Sequence, residues 1–366
     1  MVFVTAPLAY LLFNLNIIYS SASLIVSYAL PHLFLIEGGA MGVENAMKTA
    51  MDWKVRKNLA KGIRGELGSR VIHFRQAFHG RTGYTLSLTN TADPRKTMYF
   101  PKFQWPRIVN PKLRFPVDAA EVERVTKVEA LALAQVKQAL VDNRDDVAAL
   151  IIEPIQAEGG DNHFRPEFLV ALRQLCDEND MLFICDEVQT GIGLTGRMWG
   201  FQTVGVTPDL FAFGKKMQVC GFASNERIFD EPENVFHVSS RINSTWGGNL
   251  VDMVRARKYL EIIEEEDLVG NARTVGEFLM SRLQELAAEF PGKMGNVRGR
   301  GLFIAFDLPD GPTRGKVLST WLQKHNVMGL SSGESAIRLR PALTLSKDEA
   351  LLGVQRLRAT LTEVFG

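Results

Sequence analysis

Two short apolar runs separated by one helix limit what this chain can fold into more than any other feature. "VAALIIEP" (147–154) and "MLFICD" (181–186) read as strands buried on both faces, with no charged residue until their ends. Between them Pro166 starts a helix whose Phe168, Leu169, Leu172 and Cys176 recur on one face. This is a βαβ unit, and its strands are expected to be neighbours or nearly so. "VIHF" (71–74) and "DLFAFG" (209–214) read as further strands, so the fold class is α/β, a mostly parallel sheet wrapped by helices. From about Leu250 the texture changes to long charged helices, the strands "GLFIAFDL" and "AIRLRPALTL" and a last helix, which predicts a smaller C-terminal α+β domain.

The 366 residues, 46% hydrophobic and 23% charged, can bury the core of one large domain or of two ordinary ones. Forty-two basic against forty-one acidic residues leave a formal charge of +1 with no basic block, so nucleic acid is not an expected partner. Cys176, Cys185 and Cys220 lack the spacing of a disulfide framework or a zinc site, which points to a reducing, cytoplasmic setting and no metal. The first 36 residues carry no Asp, Glu, Lys or Arg. A secretory signal needs a positive start and a membrane span an unbroken apolar run, whereas Asn14, Asn16 and the serines from Ser20 to Ser27 interrupt this one. The reading of residues 1–30 stays open between a membrane anchor, a buried segment and an incorrect gene start.

In open parallel sheets the site lies beyond the carboxyl ends of the strands, and Glu153, Asp186 and Lys215 all stand at such ends. Asp186 and Glu187, which close the apolar part of "LFICDEVQTG", need a positive partner or solvent, because an unpaired buried carboxylate is costly. A lysine is mostly protonated at neutral pH, so a nucleophilic Lys215 needs desolvation, the adjacent Lys216 and a waiting aldehyde. One buried lysine and one buried aspartate suit pyridoxal phosphate (PLP): the lysine holds the cofactor aldehyde and the acid keeps the ring nitrogen protonated. A structural salt bridge between strand ends accounts for the pair equally well. "GIGLTG" (191–196) fits a dinucleotide fingerprint, but Pro208 leaves little room for a pyrophosphate-binding helix, and it reads as a glycine-rich active-site loop. In "EGGAMGVENAMKTAMDWK", Gly38, Gly39 and Ala40 precede a helix with the stripe Val43, Met47 and Ala50; the segment is a phosphate cradle or an ordinary turn.

Taken together, "PHLFLIEGGAMGVENAMK", "FHGRTGYTLSLTNT", "EPIQAEGGDNHFRPEFL", "DEVQTGIGLTG", "FGKKMQVCG", "INSTWGGN" and "IRLRPALTLS" resemble the class III aminotransferases of fold type I, most closely their lysine-specific branch. The resemblance runs from about Leu30 to the C-terminus. It implies that Lys215 is the Schiff-base lysine and Asp186 the partner of the pyridine nitrogen. Phe78 and Val188 would cover the two ring faces, Gln189 would reach the ring hydroxyl, and Gly39 and Ala40 would donate N–H groups to the phosphate. Ser244 and Thr245 would contact that phosphate from the neighbouring subunit of a homodimer. Residues 31–256 would then be the large PLP-binding domain and 257–366 the small domain.

The same resemblance implies transfer of the ε-amino group of L-lysine to 2-oxoglutarate, giving 2-aminoadipate 6-semialdehyde and glutamate. Arg81 would hold the distant carboxylate and Arg338 the carboxylate beside the keto group. Glu158 would pair with Arg338 while lysine is bound and leave it when 2-oxoglutarate arrives, whereas Arg340 reads as a surface charge and His79 as a satisfied histidine near the pocket. Other ω-aminotransferase activities, on ornithine, acetylornithine or 4-aminobutyrate, are the nearest alternatives. Two departures stand out: family members carry several tens more residues before the likeness begins, and "EGGA" replaces the Ser-Gly-Thr of the wider class. A catalytically impaired relative is the expectation that follows from the first.

Overall fold

The computed structural model describes residues 30–366, so residues 1–29 of the uncharged N-terminal segment lie outside the described residues. In chain order the elements are β1 (His32–Ile36), α1 (Gly39–Ala60), β2 (Arg70–Phe74), α2 (Gly83–Leu88), β3 (Arg107–Ile108), α3 (Ala119–Asp142), β4 (Val147–Ile152), α4 (Pro166–Glu178), β5 (Leu182–Asp186), β6 (Leu210–Phe213), β7 (Cys220–Ser224), α5 (Leu250–Glu265), α6 (Leu268–Glu289), β8 (Gly295–Arg300), β9 (Phe303–Asp307), α7 (Gly311–His325), β10 (Leu330–Ser332), β11 (Ala336–Leu339) and α8 (Lys347–Phe365). A seven-stranded sheet runs in the order β1-β7-β6-β5-β4-β2-β3, and a four-stranded antiparallel sheet in the order β10-β11-β9-β8. Strands β3, β2, β4, β5 and β6 are parallel, while β7 runs against both β6 and β1.

The uniformly apolar strands follow from burial on both faces. In β4, β5 and β6, Leu150, Ile152, Phe183, Cys185, Phe211 and Phe213 point into one core layer. Their neighbours Ala149, Ile151, Leu182, Ile184, Leu210 and Ala212 point into the other. Helix α4, opened by Pro166, buries Phe168, Leu169, Leu172 and Cys176, and β4 and β5 are adjacent, as the βαβ reading expects. The run "AIRLRPALTL" is a strand only over Ala336–Leu339, because Pro341 lacks the N–H that would continue the ladder. Around the smaller sheet, α6 and α8 bury Leu279, Leu283, Val354 and Leu357 in a separate core. Helix α5 spans position 256 and packs Met253, Ala256, Leu260 and Ile263 into the large-sheet core.

Helix α1 crosses the sheet through a glycine contact that brings its first turn to the site. A Cβ on Gly42 would lie 2.6 Å from the carbonyl oxygen of Gly221 in β7. Gly42→Ala is therefore expected to destabilise the protein by about 1–3 kcal/mol, as overpacking does. Denaturant unfolding reads this out: a stabilised variant, the result that helix propensity alone gives, would show that α1 can lift off the sheet without loss.

Candidate active site

Five segments reach the same edge of the large sheet. The loop after β2 carries Phe78 and His79, Glu153 follows β4, Asp186 ends β5, Gly214 and Lys215 follow β6, and α1 starts at Gly39. Asp186 is in register with Ala212 of β6, so Lys215 stands three residues beyond its strand-mate. A Cβ on Gly214 would come within 3.3 Å of Gly39 Cα, and one on Gly39 within 2.7 Å of Val188 Cγ1. Glycine at both positions lets the helix start close against the ends of β5 and β6.

Asp186 is 4% exposed. Its Oδ2 lies 2.8 Å from His79 Nδ1, and its Oδ1 accepts the Val188 N–H at 3.0 Å. His79 thus has a hydrogen-bond partner on one ring nitrogen, and that partner is the aspartate of the site itself. Its Nε2 is buried with no hydrogen-bond partner among the described residues. Glu153 accepts the N–H of Phe78 at 2.9 Å and of Ala157 at 3.0 Å, so this strand-end acid anchors the backbone that carries Phe78. Burial pushes Glu153 up to about 7, with His79 opposing and Asp186 adding to the rise.

The second carboxylate of "DE" has a different task. Glu187 accepts from Thr190 Oγ1 at 2.5 Å and from the N–H groups of Gly200 and Phe201 at 2.9 and 2.6 Å, folding the next loop back on the sheet. Burial pushes it up to about 7 as well. The glycines of "GIGLTG" serve packing: Gly191 abuts Trp199, Gly193 approaches Val269 and Leu343, and Gly196 abuts Arg273. This loop therefore joins the two sheets' surroundings and is not a phosphate cradle.

Lys215 is exposed at the site edge with φ at +50°, a strained conformation for a residue with a Cβ. Lys216 turns inward, donates to the carbonyl of Gln189 at 2.7 Å, and burial lowers its ammonium to about 7. The two adjacent lysines are thus divided between the site and its support.

PLP fits this edge by the chemistry of its donors. Helix α1 is 22 residues long, Gly38 precedes it at φ 83°, and no side chain caps its first N–H groups. The Met41 and Gly42 N–H groups bond to Gly38, which leaves those of Gly39 and Ala40 for an anion. Gly80 abuts Ala40, where a Cβ would come within 2.6 Å of the Ala40 Cβ, so the Phe78 loop lies over this first turn. Phe78 and Val188 are both half-buried at the edge. Ser244 donates to Glu37 at 2.6 Å beside the same turn, and Thr245 is exposed.

At the substrate end, Glu158 and Arg338 line one cavity of about 510 Å³, together with Lys96 and Arg314. They are not bonded to each other. Glu158 Oε1 instead accepts from Lys96 Nζ at 2.5 Å and Thr91 Oγ1 at 2.7 Å, while Arg338 Nη1 donates to Gln189 Oε1 at 3.3 Å. Gln189, expected at the ring hydroxyl, is thereby tied to Arg338. Arg81 is exposed between the Phe78 loop and α2. Arg340 corrects the surface reading: it pairs with the fully buried Asp161 at 2.7 Å and lies 3.4 Å from the centroid of the Phe303 ring. Sequence reasoning left Lys96 and Thr91 unnamed, since a polar loop 62 and 67 residues before Glu158 carries no spacing signal.

This edge, with a histidine-held aspartate ending one strand, a lysine just past the end of the next and an uncapped helix start, defines a PLP-dependent enzyme of fold type I. The profile of the aminotransferase class-III family matches residues 10–361, and the chain belongs to that family. It is 52% identical over 336 residues to an L-lysine-epsilon aminotransferase of Mycobacterium tuberculosis, covering 92% of this chain and 74% of that one. The L-lysine-epsilon aminotransferase of Streptomyces clavuligerus is 48% identical over 336 residues, 92% of this chain and 73% of its own. A human mitochondrial 4-aminobutyrate aminotransferase is 35% identical, over 86% of this chain and 65% of its own. Among solved structures, lysine aminotransferase from M. tuberculosis in the internal aldimine form superimposes with a TM-score of 0.92 at 50% identity, covering 96% of this chain and 79% of that one. Among the described residues, no helix is long and apolar enough to cross a membrane.

Proposed function

We propose that this aminotransferase moves the ε-amino group of L-lysine to 2-oxoglutarate, giving 2-aminoadipate 6-semialdehyde and glutamate. The observation that carries the reading is the Glu158–Arg338 cavity, where an arginine that can take a substrate carboxylate faces an acid that can cover it. Identity near 50% to L-lysine-epsilon aminotransferases supports the same donor.

Bound PLP supplies an electron sink for charge that develops on the substrate carbon. Asp186, oriented by His79 and the Val188 N–H, would keep the ring nitrogen protonated. Phe78 and Val188 would hold the ring, and the Gly39 and Ala40 N–H groups at the start of α1 would hold the phosphate. Lys215 would hold the aldehyde through Nζ, and its free amine would carry the proton of the substrate ε-carbon. Arg81 holds the far carboxylate of either substrate, and Arg338 the carboxylate beside the keto group of 2-oxoglutarate. Gln189, which accepts from Arg338, would be the group that reaches the ring hydroxyl.

We read residues 31–256 as the large cofactor-binding unit and 257–366 as the small one, each with its own sheet and with the rest of α5 packed back on the large unit's core, in a cytoplasmic homodimer. Next to Ser244 and Thr245, the side chains of Trp246, 71% exposed, and of Leu250, Val251 and Val254 form an apolar run suited to a second copy of the chain. There Ser244 and Thr245 would reach the partner's cofactor phosphate.

A donor panel with 2-oxoglutarate as acceptor tests the substrate. Lysine is expected to exceed ornithine, one methylene shorter, by about tenfold or more in kcat/KM, the scale on which one methylene discriminates. Ornithine or 4-aminobutyrate outperforming lysine would overturn the choice.

A further inference from the structure

The arrangement around Glu158 points to a residue that decides which substrate the cavity accepts. We propose that Lys96 is a specificity-determining residue: its ammonium is the landing site that draws Glu158 off Arg338 and frees that arginine for the dicarboxylate acceptor. The proposal rests on the reading of Arg338 as a carboxylate holder and deepens it.

Three observations carry it. The first is that Glu158 is held away from Arg338 by named partners, Lys96 Nζ at 2.5 Å and Thr91 Oγ1 at 2.7 Å, both on the same oxygen. Glu158 Oε2 and Arg338 Nε are left buried without a hydrogen-bond partner among the described residues, and the two side chains feel each other's charge across the cavity. Each thus keeps a free group with which the other, or a substrate, can bond.

The second is that the main chain at Glu158 cannot move to choose between the two cations. Its carbonyl accepts the Gly333 N–H at 2.8 Å, and Ser332 Oγ donates to the Ala157 carbonyl at 2.6 Å, clamping the segment to the β10–β11 hairpin that carries Arg338. Gly159 is wedged as well, since a Cβ there would lie 1.8 Å from the Gln76 carbonyl. Rotation of the Glu158 side chain is what remains.

The third is that Lys96 is presented by its own small structure. It ends the turn Pro94–Lys96, whose Asp93 accepts the Arg95 N–H at 3.2 Å and pairs with the Arg95 side chain at 2.8 Å. Asp93 is thereby occupied by Arg95, and Lys96 is left to Glu158. A Glu158 displaced by the acceptor's carboxylate then moves from one cation to another. Without Lys96 the displaced carboxylate would sit part-buried and unpaired, so Glu158 would stay on Arg338 and compete with the acceptor.

The test is the affinity of the holoenzyme for glutarate, a dicarboxylate of the acceptor's length without a keto group, measured by titration calorimetry. Lys96→Met is expected to weaken glutarate about 5- to 20-fold, the range of a part-buried charged hydrogen bond discounted for its exposure, without raising KM for lysine. Lys96→Arg restores binding. In a Glu158→Gln background, Lys96→Met is expected to change nothing, because its effect runs through Glu158. Unchanged glutarate affinity in Lys96→Met overturns the proposal. So does an equal loss in the Glu158→Gln background, which would mean that Lys96 touches the ligand itself. Undiminished glutarate binding in Arg338→Ala would bring down the arginine reading beneath it, and the proposal with it.

Discussion

Replacing Lys215 by alanine is expected to lower amino transfer by roughly 10⁴-fold or more, the loss that follows when one group serves both as nucleophile and as proton carrier. The variant also loses the visible absorption of lysine-bound PLP, read directly by spectrophotometry of the purified protein with added cofactor. The fold is expected to survive, because the Lys215 side chain is exposed. Alanine carries the same Cβ at this φ of +50°, so the exchange adds no backbone strain to what lysine already bears. Lys216 is no substitute: it is directed into the protein and bonded to the Gln189 carbonyl. Turnover and the absorption band both persisting in Lys215→Ala would end the proposed mechanism and point to Lys216 as the amine.

Asp186→Asn is the second large effect, expected to cost on the order of 10²–10³ in kcat, as loss of a preorganised charge does. Asparagine matches the aspartate in shape: its amide oxygen can keep the Val188 N–H, and its NH2 can face His79 Nδ1 in the tautomer whose Nδ1 accepts. It cannot keep a proton on the ring nitrogen, so the effect isolates charge from packing. Thermal unfolding of the variant within a few degrees of the parent, together with the rate loss, is the expected pair of results. A rate unchanged at full cofactor loading would show that Asp186 serves only as the structural partner of His79.

Particular residues show where the linear order of the chain is informative. The strand ends at Glu153, Asp186 and Lys215 were legible because each follows an apolar run, and a parallel sheet gathers such ends on one edge. Edge strand β1 and its neighbour β7 were not read as strands, since pairing between residues 32 and 224 leaves no local trace. His79 was seen without its partner, which lies 107 residues away. Arg340 passed for a surface charge because the strand pattern cannot reveal that Asp161 waits beneath it. The carboxylate pair of "DE" looked like one feature, and the fold gives its halves separate work: Asp186 faces the site, while Glu187 holds a loop.

Local chemistry thus marks the strand and helix periods, a glycine-rich helix start, and a lysine and an aspartate at strand ends as candidates, because these depend on neighbours within a few residues. Which cation holds Glu158, which of two lysines turns inward, and which base steadies Asp186 were decided by packing. Hydrogen bonds and ion pairs between distant segments depend on ångström-scale distances that emerge once the two cores close, and no spacing along the chain encodes them.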